Sequence, residues 1–441
     1  MAAPFLDLLL WTLVGTGAAA LLALLPALHI YNVAGLLLLF GSVLEPVLTP
    51  ERLAFLFLGL ITGYAMLNTI PGIFLSVPDE STLFIVLPGQ KYLLQRRGYE
   101  AVVLSGLGGL GGVFFLALLV PVAARILPTV REILRPHLGW ILWTVIAYML
   151  LSEWPKGTDR APAGWRRWWD AWRSLLAGLA TFLLSALLGF ILMARPLVPL
   201  EVAYQNLLPA FVGLFAVPWV IQNLLARIEL PAQHRARTLD ISPLVLFHGI
   251  AAGVLGGMFA AFFPVVTGGI GGLLAGHATA QRDDRAFIIS QGASKIVYYV
   301  GGLLLFFVPG LHLTRGGMAW MLSTRYSSFT PEAYVWATAA VLLAGTLAFF
   351  LLLALSRVMM ALVSRVSYRV LSWGTLGILL LVVWGITGWG GLVICTVATG
   401  IGLIPVLWGS RRMNCMGVLL LPIALNMVGW GDTVARFLGL L

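Results

Sequence analysis

The sequence predicts an all-α, polytopic membrane protein, and three observations carry that reading. Its 441 residues are 60% hydrophobic and only 10% charged, a mixture outside that of soluble globular domains. Many apolar runs reach the roughly 20 residues a helix needs to cross about 30 Å of hydrocarbon, where every backbone polar group must be satisfied within the protein. The runs are also punctuated by 49 Gly and 23 Pro, residues commoner in membrane helices than in soluble ones.

Taken in order, the runs 5 to 25, 101 to 124, 174 to 194, 243 to 263, 286 to 308, 333 to 355 and 370 to 388 are long enough to span. Together with shorter runs they give about ten to twelve crossings by length. The short, Gly/Pro-broken runs 26 to 44, 72 to 88 and 264 to 280 read as segments that either cross or re-enter. The first run starts almost at Met1 without a basic n-region or an A-x-A site, so it is expected to be retained as a first helix.

The net charge of +10 rests in short links between apolar runs: Lys91, Arg96 and Arg97; Arg125, Arg131 and Arg135; Arg160, Arg166 and Arg167; Arg357, Arg365 and Arg369. That is the pattern of cytoplasmic loops against anionic lipid, not of a nucleic-acid surface. The longest polar link, 153 to 173 (EWPKGTDRAPAGWRRWWDAWR), mixes Arg with Trp suited to the headgroup layer. Cys395 and Cys415 lie in or beside apolar runs without metal-ligand spacing and read as packing, so no metal site or cofactor is expected.

The membrane part repeats weakly, which divides the chain into 1 to 240 and 241 to 441. Aligning Pro26 with Pro264 lays Gly15-TGAAALLALL-Pro26 over Gly253-VLGGMFAAFF-Pro264 and sets His29 opposite Thr267. Proline removes a helical donor and glycine tolerates unusual dihedrals, so each segment reads as a helix that breaks, unwinds, and resumes as a second half. Paired broken segments in two halves point to a transporter's substrate site, although small residues also serve close helix packing. His29, Asn32, Thr267, Gly268 and Gly269 are the candidates these breaks supply.

A third interruption lies at 68 to 89, NTIPGIFLSVPDESTLFIVLPG. Pro71 breaks the run, Asn68, Thr69 and Ser76 are polar without charge, and Asp79 and Glu80 are carboxylates in apolar surroundings. Two readings stand side by side: a solvated loop with Asp79 as a helix cap, or a cation or proton site formed by Asp79 or Glu80. In the second half, HATAQRDDRAFIISQGASK (277 to 295) pairs Asp283 and Asp284 with Arg282 and Arg285 as a self-neutralising turn. Ser290 and Ser294 then extend into the next apolar run as ligand candidates, while Lys295 either meets a carboxylate or snorkels to the interface. Enzyme signatures are absent: there is no H-E-x-x-H, Walker A loop or G-x-S-x-G elbow. A non-enzymatic transporter is the expectation, and the lack of an ATPase site implies that it is driven by an ion gradient or by a partner. The alternative is a translocase or enzyme acting on a polyprenyl phosphate, with Lys91, Arg96 and Arg97 at the headgroup level.

LLPALHIYN (24 to 32), IPGIFLSVPDESTLFIVLPGQKYLLQRRGYEAV (70 to 102), FFPVVTGGIGGLLAGHATAQRDDRAFIISQGASK (262 to 295) and TGIGLIPVLWGSRRMNCMGVLLLP (399 to 422) resemble the large membrane subunit of tripartite tricarboxylate transporters, in its shorter, largely archaeal branch. The resemblance implies a multi-pass permease of the cell membrane with inverted repeats, moving an organic carboxylate with Na⁺ or H⁺. It implies a small membrane subunit and an extracytoplasmic binding protein as partners, and leaves room for a homodimer. By position it places the segments at Pro26 to Asn32, Asn68 to Ser81 and Pro264 to Gly272 around the site. The chain departs from the family's first motif, with Pro26-Ala27 where Pro-Gly is usual and Asn32 one residue late.

Overall fold

The computed structural model describes residues 2–25, 28–153, 164–195, 197–199, 205–226, 230–235 and 238–441. The expected break at Pro26, and Arg160 of the polar link, lie outside the described residues.

The helices run α1 (Ala2–Leu22), α2 (Ile30–Leu39), α3 (Gly41–Leu44), α4 (Pro50–Leu67), α5 (Thr69–Phe74), α6 (Val86–Leu94) and α7 (Gly98–Leu134). They continue as α8 (Leu138–Leu151), α9 (Trp165–Ala194), α10 (Leu208–Phe211), α11 (Val217–Ala226), α12 (Pro243–Phe262), α13 (Gly268–Ala278) and α14 (Asp284–Ile296). The chain ends with α15 (Gly302–Phe307), α16 (Gly316–Ser323), α17 (Pro331–Arg365), α18 (Tyr368–Trp408), α19 (Gly417–Met427) and α20 (Gly431–Phe437). Single π turns at Val212–Ala216 and Val297–Gly301 join α10 to α11 and α14 to α15.

Among the described residues nine helical runs are long and apolar enough to cross a membrane. A tenth is reached if Arg412–Met427 and Gly431–Phe437, which meet at 118°, form one broken span. The protein is thus an all-α, multi-pass membrane protein, with nine or ten crossings among the described residues against the about ten to twelve expected. The count is lower because expected spans are longer than their apolar cores. The run expected to stop at residue 124 continues as α7 to Leu134, through Pro121, Arg125 and Pro128, and its Arg131 Nη1 donates to Leu311 O at 2.7 Å. The basic groups at its far end are therefore carried by the helix itself rather than by a loop. Likewise α9 starts inside the Trp/Arg link, where Trp165 and Trp168 stack at 4.8 Å and Trp168 and Trp172 at 6.1 Å. The last long helix, α18, passes its expected end and bends at Gly388, whose φ of 66° suits glycine.

Several spans open on one local signature. Thr49-Pro50, Ser242-Pro243 and Thr330-Pro331 place a hydroxyl at the N-cap, accepting from the backbone N–H three residues on, and a proline at the first helical position, where no donor is missed. Glu51 and Glu332 add negative charge to the positive end of the helix dipole.

The described residues divide into two compact units, Met1–Leu134 with Asn223–Thr375 and Arg135–Gln222 with Leu376–Leu441. In unit 1, α4 and α14 are the most enclosed spans, and α1, α7, α12 and α17 pack around them. In unit 2, α9 packs on α19 and on the 3-10 turn Arg412–Met416. Outward-facing Leu6, Leu244, Phe247 and Phe350 are exposed, as lipid-facing side chains of a spanning helix must be.

Backbones approach closely where α1 crosses α4. A methyl on Gly59 would lie 2.0 Å from Thr12 O, and one on Gly15 2.2 Å from Leu56 O. Since lipid is as apolar as Leu, such close packing is what holds spanning helices together. The variant Gly59→Ala is expected to lose about 1–3 kcal/mol by forcing the two helices apart. Thermal unfolding of the purified protein in detergent reads this, and an unchanged transition would contradict the contact.

Candidate functional site

The site is built in unit 1 from three places where helices stop short. After α1 the chain reaches His29 in extended conformation (φ −71°, ψ 141°), whose ring Nδ1 accepts from Tyr31 N at 3.2 Å and opens α2. After α12 it leaves the helix at Phe263, passes Pro264 and Val265 (φ 62°), and restarts at α13 with Thr267 as cap (φ −86°, ψ 162°). The third stop follows α4 and α5. Pro71 lies inside α5, and the discontinuity is three residues earlier, at Asn68. A proline at 71 has no N–H for the carbonyl of Leu67, so the helix loosens one turn upstream of the proline itself. The chain then leaves helix at Leu75, and Ser76 adopts φ 55°.

Asp79 organises the next loop. Its Oδ1 accepts from Ser81 N (3.0 Å), Ser81 Oγ (2.7 Å), Thr82 N (2.8 Å) and Thr82 Oγ1 (2.7 Å). Its Oδ2 accepts from Tyr64 OH at 2.9 Å and Asn68 Nδ2 at 2.7 Å. A carboxylate offers about four lone-pair sites, so Asp79 is saturated by its own surroundings. It fixes the turn, as the cap reading expected, but within the protein rather than in a solvated loop.

Glu80 is held more loosely, by Tyr299 OH at 3.0 Å and by His29 Nε2 at 3.3 Å. Because His29 Nδ1 accepts the Tyr31 amide proton, the proton of the neutral ring sits on Nε2 and points at Tyr299 OH (2.9 Å) and Glu80. Ligand atoms of His29, Asp79 and Glu80 lie within 4.8 Å of one another, close enough to hold a metal ion. With that tautomer His29 acts as a donor steadying Glu80, and the oxygens facing a cation would be those of Glu80 and Tyr299.

Lys295, 2% exposed, does not snorkel. Its ammonium donates to Asn68 Oδ1 at 2.6 Å and to Thr69 Oγ1, and Thr69 also meets Ser105 Oγ at 3.4 Å. The Asn68 amide thus bridges Lys295 and Asp79, its oxygen towards the cation and its nitrogen towards the anion. With His29 neutral, Lys295, Asp79 and Glu80 leave one uncompensated negative charge. The restarted α13 joins from the other side: Thr267 Oγ1 donates to Glu80 O at 3.2 Å, Ser294 Oγ donates to Gly268 O at 2.7 Å, and a methyl on Gly269 would meet Glu80 O and Ser81 O at 3.1 Å.

Of the residues expected from sequence, His29, Asn68, Thr69, Asp79, Glu80, Thr267, Gly268, Gly269 and Ser294 therefore meet in one centre. Asn32 is buried in the first turn of α2. Ser76 lies apart, between Tyr368 OH (3.1 Å) and Gln90 Nε2 (2.9 Å), and Ser290 donates to Gln281 Oε1 (3.1 Å) and Phe287 O (2.8 Å). Sequence reasoning passed over Tyr31, Tyr64 and Tyr299, whose rings stand 4.5, 5.1 and 5.7 Å from that of His29. A signal was present: the Tyr298-Tyr299 pair lies one turn beyond Lys295 inside an apolar run, where the helix carries a π turn of the kind frequent at functional sites. At the edge of the unit, Arg285 beside Asp283 holds that carboxyl below the usual range, while Asp284 pairs with Lys91 rather than with its own turn.

The Tripartite tricarboxylate transporter TctA family model matches residues 9–417. The chain belongs to this family. It is similar, at 26% identity over 424 residues, to an uncharacterized protein of Methanocaldococcus jannaschii, the match covering 94% of this chain and 97% of that one. No solved structure matches. TctA proteins are transporter components rather than enzymes, and the family is that of the large subunit of a tripartite transporter, so this chain is a multi-pass transport protein of the cell membrane. The polyprenyl-phosphate alternative finds no support: Lys91 pairs with Asp284 and Arg97 with Glu100, so two of its three cations are engaged within the chain.

Proposed function

We propose that this TctA protein is a secondary transporter in which the polar centre of unit 1 couples an organic carboxylate to Na⁺ or H⁺. One observation carries the reading. Glu80, with spare acceptor capacity, faces His29 and Tyr299 where two broken segments restart at His29 and Thr267. A cation there supplies the charge that Lys295 alone does not, and the N-termini of α2 and α13 favour an anion beside it. Asp79 serves as the frame that holds Glu80 in place.

The division into two inverted repeats belongs to the same proposal. Gly15 on α1 meets α4 at Leu56 O, and a methyl on its aligned partner Gly253 of α12 would lie 2.3 Å from Ser290 O of α14. The aligned pair His29 and Thr267 are both N-caps of the helix that resumes. A small membrane subunit, an extracytoplasmic binding protein and a homodimer complete the expected assembly.

Glu80→Gln tests the reading. It keeps the shape and the Tyr299 contact but removes the charge, so gradient-driven uptake of labelled carboxylates into proteoliposomes should fall at least about a hundredfold, the size of effect expected when a coupling charge of a few kcal/mol is lost. Wild-type-like uptake by the variant would exclude Glu80 from coupling.

A further inference from the structure

Unit 2 holds a polar centre of its own. After α18 the chain turns at Gly409 and presents Ser410, Arg411 and Arg412, the last opening the helical run Arg412–Met427. The Arg412 guanidinium carbon lies 3.4 Å from the centre of the Trp219 ring, and Nη2 donates to Gln222 Oε1 at 2.9 Å. Its other terminal nitrogen, Nη1, is shielded from solvent and donates to nothing. The same holds for Nε1 of Trp219, a residue 5% exposed, and for Ser410 Oγ and Arg411 Nη1. Among the described residues neither guanidinium has an ion-pair partner. The nearby carboxylate, Glu153, accepts instead from the backbone N–H of Arg411 and from Asn414 Nδ2 at 3.2 Å.

Buried donors without acceptors are rare in native proteins, and arginine cannot relieve its charge by losing a proton. Because the guanidinium lies over the indole, Arg412 Nη1 and Trp219 Nε1 are neighbours. Stacking on an aromatic face leaves the guanidinium edge free for a planar, two-oxygen partner. Arg412 Nη1 and Trp219 Nε1 can only donate and one of them belongs to a cation, so the partner missing between them is an acceptor bearing negative charge; the orphan amide oxygen of this segment, Asn414 Oδ1, belongs to the side chain that meets Glu153.

The geometry points to a binding site for a compact oxyanion, a phosphate or carboxylate group, held by Arg412 Nη1 and Trp219 Nε1. The group can belong to an anionic lipid headgroup or to a dissolved ion, and the test separates them. Full-length protein in neutral, lipid-free detergent is titrated with inorganic phosphate and with citrate, and the same protein is placed in nanodiscs of phosphatidylglycerol or phosphatidylcholine, with thermal stability as readout. The variants are Arg412→Gln and Trp219→Phe, the second keeping the ring but not the N–H, with exposed Arg282→Gln as control.

Saturable stabilisation by either dissolved anion, weakened about tenfold or more in both site variants and intact in the control, identifies a dissolved ligand. Stabilisation by phosphatidylglycerol alone, lost in both site variants, identifies a lipid headgroup. If Arg412→Gln does not fold, Trp219→Phe decides. Absence of stabilisation from any source, or site variants that respond like the wild type, would overturn the inference.

Discussion

Asp79→Ala is expected to cost about 3–5 kcal/mol of stability, the range for removing one partner from a buried charged network. The loss comes from both of its oxygens. Without Oδ1 the N–H groups and hydroxyls of Ser81 and Thr82 lose their common acceptor, and the turn leading to Leu83–Ile85 has nothing to close on. Without Oδ2 the Tyr64 hydroxyl and the Asn68 amide are orphaned, and each buried group left unsatisfied adds its own desolvation cost. Asp79→Asn restores at most part of this, because an amide nitrogen cannot accept. Chemical unfolding in mixed detergent, monitored by the loss of helical signal, compares the three proteins in the order wild type, Asn, Ala. An Ala variant as stable as the wild type would return Asp79 to an unimportant loop.

Lys295→Met is expected to make stability depend on the solution. Its ammonium is bonded to Asn68 and Thr69, and through Asn68 it balances Asp79. Methionine fills the volume but leaves Asp79 and Glu80 facing each other's charge, for a loss of about 3–5 kcal/mol near neutral pH in a buffer whose cation is too large to enter. Sodium should restore part of the loss by occupying the vacant charge, and acidification should do the same by protonating one carboxyl. The sign is definite: the stability gap between variant and wild type narrows as pH falls and widens as pH rises. Thermal unfolding across pH in choline and in sodium reads it, and a gap independent of both would mean that the ammonium does not balance the carboxylates.

Both predictions turn on a loop whose chemistry was half legible in the sequence. Two carboxylates next to Pro78 in so apolar a chain announced that something had to compensate them, and Pro26 and Pro264 pointed to a second helical half after each, without fixing where it begins. The compensating groups were harder to see, because they come from elsewhere in the chain. Lys295 is 227 residues from Asn68, and Tyr299 is 220 from Asp79. Hydrophobic periodicity says nothing about such pairings. A lysine beside an apolar run is equally consistent with snorkelling, and only its burial between α4 and α14 decides against it.

The same limit explains the differences in element length. The expected apolar run ends at residue 124, but α7 continues, and Arg131 reaches Leu311 O while the backbone stays helical. Ser76 and Ser290 show the converse. Their polarity in apolar context was real, yet each is satisfied locally, Ser76 through Tyr368 and Gln90 and Ser290 through Gln281, so neither faces the centre.

Coupling means that cation and carboxylate each raise the other's affinity by the same factor. Calorimetric titration of the wild-type protein with a series of mono-, di- and tricarboxylates, at fixed pH with and without sodium and at several pH values without it, measures that factor directly. One carboxylate class is expected to gain at least about fivefold in affinity with sodium or with protons, as a coupling free energy above 1 kcal/mol requires, and to lose that gain in Glu80→Gln. Carboxylate binding indifferent to both cations, or a cation dependence that survives Glu80→Gln, would contradict coupling at this centre.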